Sequence, residues 1–304
     1  MRAIRQRGAR EGGFIIVAVL WIVLALATLA SIYAAYVVRT AEAVGASDTR
    51  VRAEALFTAA LELAAYQLTA VPKEARPANG RFDFRMGRAT VLVDFHAESG
   101  RIDLNAAPKP LLASLFAALG AKPDDAGSFA DRVIAWRSPP AKTGEDDAEA
   151  AAYRTAGLAY APRRAPFQDT GELWLVLGLP PALVERAIPY VTVFSGAAQV
   201  NILAAPPIVL AALPGITPEQ VNGVLAARRS GSFDPKALLE SLGPAREAAT
   251  VETGPAMRVS VGLRFDDGTR SNAQIVILLR DDDTEPYRIL FWRDDFDQVA
   301  LAGG

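Results

Sequence analysis

The chain has 304 residues, a formal net charge of −2 and no cysteine. A net charge this small argues against a strongly electrostatic nucleic-acid binder, and the lack of cysteine excludes disulfides and thiolate chemistry. The single histidine, His96, would have to carry any triad or histidine-rich metal site alone. No nucleophile elbow, phosphate loop or metal motif accompanies it, so we do not expect an enzyme.

Residues 14–38 form a run without a charged side chain. A helix over this run would measure about 37 Å at ~1.5 Å per residue, longer than the ~30 Å hydrocarbon core of a bilayer. Four arginines precede the run, and excess arginine on a short flank keeps that flank in the cytoplasm: Arg2, Arg5, Arg7 and Arg10. The sequence therefore predicts a transmembrane helix over 14–38, with the chain after Arg39 exported.

The junction before this run distinguishes three interpretations of it. A cleavable secretory signal has an apolar region of only ~7–15 residues, and a plain single-pass anchor needs no special junction. Here Gly13 precedes Phe14 directly, which resembles a type IV prepilin leader cut after the glycine. The resemblance implies a leader over 1–13, cleavage between Gly13 and Phe14, and methylation of the new amino terminus. Ala18 occupies the fifth mature position, where most pilins carry Glu, and a subunit without that Glu suits a filament end.

The exported part begins and ends with patterns of a small α+β domain. A helical pattern continues to Val71 and ends at Pro72, and alternation over 81–95 then predicts strands. Residues 101–254 are mainly helical in pattern, and period-two alternation returns from Met257 with a tight Asp-Asp-Gly turn at 266–268. We therefore divide the exported chain into 39–100 and 255–304, which form one domain, and an insertion over 101–254, because insertion at a surface turn is well tolerated.

The insertion contains internal repeats. Residues 103–112 match 201–210 at a constant offset, each with a small polar residue and Ala-Ala before a proline that suits a helix start. Residues 213–218, Leu-Pro-Gly-Ile-Thr-Pro, resemble a helix-hairpin-helix turn, whose amides hold phosphate in DNA-binding proteins. A membrane-anchored DNA-binding protein is thus the alternative function. The small net charge disfavours it, because phosphate binding requires several cations.

Taken together, these features resemble the K-type minor pseudopilin of type II secretion, also called general secretion pathway protein K. The resemblance rests on Gly-Phe before the apolar run and on five further stretches: 101–108, 135–137, 144–147, 167–177 and 189–193, followed by Val200-Asn201. It implies a pilin-like α+β fold, with a long amino-terminal transmembrane helix on a small antiparallel sheet, and a large inserted all-α domain with helix-hairpin-helix-like repeats.

The same resemblance implies a function and a set of partners. The protein would be a non-enzymatic minor pseudopilin of the bacterial inner membrane, with a periplasmic head, at the tip of a pseudopilus that exports folded proteins. It would contact I- and J-type minor pseudopilins, the major pseudopilin, the prepilin peptidase and the inner-membrane secretion platform, and would not bind nucleic acid.

An acidic stretch in the insertion predicts a metal site. Residues 144–149 carry four carboxylates, and Ca²⁺ takes ~6–8 oxygen ligands, several of them carboxylates from flexible loops. Mutual repulsion among these acids would be relieved by a divalent cation, and the resemblance also implies calcium in this domain. The candidate ligands are Glu145, Asp146 and Asp147. A merely solvated acidic loop is the alternative.

Overall fold

The computed structural model describes residues 11–139, 147–281 and 284–295, with side chains of these residues except 11–15 and 38–48. The chain divides into two compact parts, residues 1–55 and 56–304. Helix α1 (Glu11–Thr69) is one continuous helix that contributes to both parts, as the sequence predicts. Within it, Ile16–Val37 is long and apolar enough to cross a membrane, with a mean hydropathy of 2.5 and none of its most apolar window buried.

Residues 56–304 contain a five-stranded antiparallel sheet. The strands of the described chain are β1 (Asn79–Met86), β2 (Ala89–Ala97), β3 (Ile102–Asp103), β4 (Val191–Thr192), β5 (Val200–Asn201), β6 (Ala249–Thr250), β7 (Ala256–Phe265), β8 (Arg270–Leu279) and β9 (Tyr287–Asp294). The sheet order is β1-β2-β7-β8-β9, and every neighbouring pair is antiparallel. The strands predicted before and after the helical stretch are therefore confirmed as one sheet.

One face of this sheet is buried under the end of α1. Alternate residues such as Val91, Val261 and Ile275 are buried, as are Phe57 and Leu61 on the helix. Alternation with period two is what a strand with one covered face requires. The hydroxyl of Tyr287 in β9 donates to Glu62 of α1 at 2.7 Å, which fixes the edge strand against the helix. The arrangement is the pilin-like α+β fold.

Between β2 and β7 lies a helical insertion, residues 98–255. Its helices in the described chain are α2 (Lys109–Ala118), α3 (Pro123–Arg137), α4 (Ala148–Thr155), α5 (Pro181–Ala187), α6 (Pro207–Ala211), α7 (Pro218–Ser230) and α8 (Pro235–Glu240). Prolines in the first turn of all of these except α4 fit the position where a missing N–H is harmless. Helices dominate, as expected, but two parallel strand pairs, β3-β4 and β5-β6, lie among them.

The insertion consists of two similar units, which correspond to the sequence repeat. In the first unit β3 leads into α2 and α3, and in the second β5 leads into α6 and α7. The polar residue that ends each leading strand bonds to the following backbone: Asp103 Oδ1 accepts from Asn105 N at 2.7 Å, and Asn201 Oδ1 accepts from Leu203 N at 2.8 Å. Both turns thus use the side-chain geometry that Asp and Asn favour.

Each unit is closed by an arginine from its second helix. Arg137 donates to the carbonyl oxygens of Leu104 and Ala107, the second at 2.7 Å. Arg228 donates in the same way to the carbonyls of Ile202 and Ala205, the second at 2.7 Å. We call these two contacts the arginine clamps. They satisfy carbonyl groups in the turns that precede α2 and α6.

Candidate functional site

The predicted processing site lies at the start of the described chain. Gly13 and Phe14 have helical backbone, because α1 begins at Glu11. Their side chains are outside the described set, and so are the arginines before Glu11. The structure thus shows an apolar helix directly after the junction, as the predicted membrane anchor requires.

Of the three predicted metal ligands, only Asp147 lies within the described residues; Glu145 and Asp146 lie outside them. Asp147 is the N-cap of α4, and its Oδ1 accepts from Ala150 N at 3.1 Å. The same oxygen accepts from the guanidinium of Arg164. The Ala150 amide, followed by Arg164, holds the pKa of Asp147 below its usual value. The carboxylate is therefore ionised and fixed at the end of the acidic stretch.

Arg164 connects Asp147 to the end of α3. Its Nη1 donates to the Ala135 carbonyl at 2.9 Å, and its backbone N–H donates to the Trp136 carbonyl at 2.7 Å. Its φ of 58° lies in the left-handed region, which is uncommon for a residue with a side chain. Three contacts on one arginine therefore hold an unfavourable backbone conformation in place and join the loop after α4 to α3.

An aromatic cluster lies beneath this connection. Trp136 stacks on Phe167 with ring centroids 6.1 Å apart, and contacts Tyr153 at 6.2 Å. The indole N–H of Trp136 donates to Glu172 at 3.0 Å, and the Tyr153 hydroxyl accepts from Leu177 N at 2.8 Å. Burial raises the pKa of Tyr153. Asp147 is thus connected, through Arg164, to a hydrogen-bonded aromatic part of the insertion.

A complete metal site is not formed by the residues whose positions are described. Among 11–139, 147–281 and 284–295, no three acidic or histidine side chains lie together as a metal site would require. Glu149, the fourth acid of the stretch, lies 3.8 Å from Arg132, and its buried Oε1 has no hydrogen-bond partner. The structure therefore places Asp147 at one end of the candidate site without bringing a full ligand set to it.

The helix-hairpin-helix turn has the geometry of a packing unit. Gly215 adopts a φ of 78°. Thr217 is the N-cap of α7 and forms a capping box in which it exchanges hydrogen bonds with Gln220. The cap satisfies amides at this helix end that a phosphate would otherwise meet. Arg228, one of the two arginines nearby, is committed to its clamp. Nothing in this arrangement favours DNA binding.

Part of the chain is similar in sequence to a known protein family. Residues 92–196 match the family described as Type II secretion system (T2SS), protein K. The match covers roughly a third of the chain. The matched residues run from β2 through the first unit of the insertion to the turn after β4, and this stretch contains the first arginine clamp and the aromatic cluster.

A solved structure extends the similarity to most of the chain. The crystal structure of the GspK-GspI-GspJ complex from the enterotoxigenic Escherichia coli type 2 secretion system contains a chain that matches with a TM-score of 0.55 and 16% identity. The match covers 81% of this chain and 99% of that one. At this identity the likeness concerns the fold. By sequence, no curated protein matches the chain.

Sequence reasoning missed the structural role of the residues around Asp147. One signal was available: an Asp directly before Ala-Glu-Ala-Ala-Ala is a good N-cap, so α4 and its first residue were predictable. Arg164 gave no such signal, because its contacts with Asp147 and Ala135 link positions far apart in the chain. Its left-handed backbone would ordinarily be expected only of glycine or asparagine.

Proposed function

We propose that the chain is a protein K, a minor pseudopilin of type II secretion, which ends the pseudopilus at its tip together with I- and J-type minor pseudopilins and primes assembly of the filament. The observation that carries the proposal is the insertion of residues 98–255 between two adjacent strands of the sheet. An insertion this large, built at one end of a pilin-like sheet, obstructs stacking of a further subunit over it. The similar chain of the solved complex assembles with GspI and GspJ, which supports these partners.

Deleting the insertion tests the tip position. Replacing residues 105–250 by a short linker removes the bulk and should permit longer or misregulated filaments. Immunolabelling of the parent protein should give one label at one end of each filament. Labels spaced evenly along the filament would contradict the proposal. A Lys109→Gln variant, which loses only a surface ion pair with Asp131 at 2.7 Å, is the control and should behave as the parent does.

The topology in the membrane follows from the sequence before α1. Four arginines on the amino-terminal flank favour an amino terminus in the cytoplasm of a bacterial inner membrane and a periplasmic head. Cleavage after Gly13 would leave Phe14 as a methylated first residue. Gly13→Leu should block cleavage, because the leucine side chain obstructs close approach of the peptidase to the backbone. Amino-terminal sequencing that begins near Ala30 would instead establish a secretory signal.

The acidic stretch would hold Ca²⁺ through Glu145, Asp146 and Asp147. Both described contacts of Asp147 use Oδ1, so a cation bound through Oδ2 would leave the cap and the Arg164 pair in place. Calcium would neutralise the stretch and stabilise the folded state that binds it. The role of the head would otherwise be mechanical and organisational.

Melting of the full-length protein with millimolar Ca²⁺ or with chelator tests this site. Calcium should raise the midpoint, and the double variant Glu145→Gln, Asp146→Asn should abolish the increase. Asp124→Asn changes an acid in the first turn of α3 and serves as the control. An unchanged midpoint in the parent, with no calcium by elemental analysis, would exclude the site without affecting the tip proposal.

A further inference from the structure

The helical insertion joins the sheet through two crossings that lie side by side. β2 ends at Ala97 and β7 begins at Ala256, and Ala97 pairs with Met257 across the two strands. Domains connected in this way normally move relative to one another unless a substantial interface prevents it. The contacts around the two crossings therefore decide whether the insertion swings or stays fixed.

The first crossing is tightly packed against the insertion. Glu98–Gly100 forms one turn of 3₁₀ helix in which all three residues are buried. A Cβ at Gly100 would lie 2.7 Å from the Cβ and 2.8 Å from the carbonyl carbon of Ala204, so the backbone meets the second unit of the insertion directly. The Ser99 hydroxyl accepts from Gly254 N at 3.4 Å, which connects the first crossing to the second.

A buried ionic network joins the sheet to the insertion at the same place. Glu98 is fully buried and accepts two hydrogen bonds from Arg258 of β7, at 2.6 and 3.1 Å. The same carboxylate accepts from the hydroxyl of Thr192, in β4 of the insertion. Arg258 also donates to Gln274 of β8 at 2.8 Å. One carboxylate is thus shared between the sheet and a strand that is 94 positions away from it in the chain.

We propose that Glu98, Thr192 and Arg258 form a lock that fixes the orientation of the helical insertion on the sheet. Both donors approach the carboxylate in a buried position, where an unpaired charge is strongly unfavourable, so any swing of the insertion that separated them would be opposed. Gly100 supports the lock because only a glycine permits the close approach to Ala204. The insertion consequently moves with the sheet as one body. A partner protein would therefore meet the surfaces of the insertion and of the sheet in one fixed orientation relative to each other.

Distance measurements between spin labels test the lock in the full-length protein in detergent. The chain has no cysteine, so cysteines introduced at the exposed positions Asp83 of β1 and Glu185 of α5 are the only labelling sites. The parent should give one narrow distance distribution. Glu98→Gln keeps the size of the side chain but removes the ion pair, and should broaden the distribution or add a second distance.

Two further variants keep the result interpretable. Thr192→Val retains the Glu98–Arg258 pair and removes the hydroxyl, which donates to Glu98 and also accepts from Phe194 N at 3.1 Å. It should broaden the distribution even if Glu98→Gln fails to fold. Asp131→Asn removes an exposed ion pair elsewhere in the insertion and should leave the parent distribution unchanged. A broad distribution in the parent would overturn the proposal. So would a distribution of parental width in every lock variant that retains the parent's circular dichroism spectrum.

Discussion

The arginine clamp of the second unit gives a quantitative prediction about stability. Arg228 donates to the carbonyls of Ile202 and Ala205, two residues with no exposed surface. Burial lowers the pKa of Arg228 to about 10, so the guanidinium remains charged at neutral pH. Arg228→Met preserves most of the apolar stem but leaves both carbonyl groups without a donor.

The size of the effect follows from these two hydrogen bonds. A hydrogen bond to a charged group contributes about 1.5–3 kcal/mol, and desolvation of the guanidinium offsets part of two such bonds. We expect Arg228→Met to lower the free energy of unfolding by about 2–4 kcal/mol. For a folded unit of this size that corresponds to a fall of roughly 4–16 °C in the melting temperature.

The neighbouring arginine provides a matched control. Arg229 is exposed, and its side chain makes one described hydrogen bond, from Nε to the Leu225 carbonyl at 3.3 Å. Arg229→Met should change stability by less than about 0.5 kcal/mol, as exposed substitutions generally do. The two variants have the same composition and net charge, so thermal melting followed by tryptophan fluorescence compares them directly. Equal melting temperatures for the two variants would refute the clamp.

Three further predictions use the same approach. Arg137→Met should destabilise the first unit as Arg228→Met does the second, measured by the same melting experiment. Burial, together with the hydrogen bond to Glu62, raises the pKa of Tyr287 from 10 to about 12. The stabilisation that this hydroxyl provides is therefore complete below the unfolded-state pKa of 10 and is lost as the pH rises from 10 towards 12. Tyr287→Phe should flatten this part of the stability–pH profile. Asp147→Ala should speed amide hydrogen exchange at the start of α4, whereas Asp147→Asn, which can still cap, should preserve protection at Ala150.

Local patterns were sufficient to predict most of the elements of the fold. The uncharged run, Pro72 and the alternation around Val91 and Val261 each report a local preference, and each corresponds to an element of the structure. The return of period-two alternation after the long helical insertion also indicated that separate hairpins complete one sheet. That inference needed only the rule that a half-buried strand must find a partner.

The contacts that fix the insertion on the sheet could not be predicted from local sequence patterns. Glu98 is charged and completely buried, although the Glu-Ser-Gly stretch it begins is of a composition typical of a turn. Its burial is possible because Arg258 and Thr192, distant in sequence, reach it from two different parts of the fold. A charged residue in a turn pattern normally indicates solvent, so only the three-dimensional arrangement reveals the pairing.

The arginine clamps explain why a constant sequence offset detects the repeat at the start of each unit of the insertion but not at its end. The leading strands and prolines of the two units match at a constant offset, but α2 has 10 residues whereas α6 has 5. The shorter helix changes the spacing, so Arg137 and Arg228 are not aligned at the offset that reveals the rest of the repeat. Their equivalence lies in what they bond, a pair of carbonyls before a proline-initiated helix, and this requirement is the same in both units. Satisfying buried carbonyls therefore constrains each unit more closely than helix length does, and an arginine at the end of the second helix meets that constraint in both.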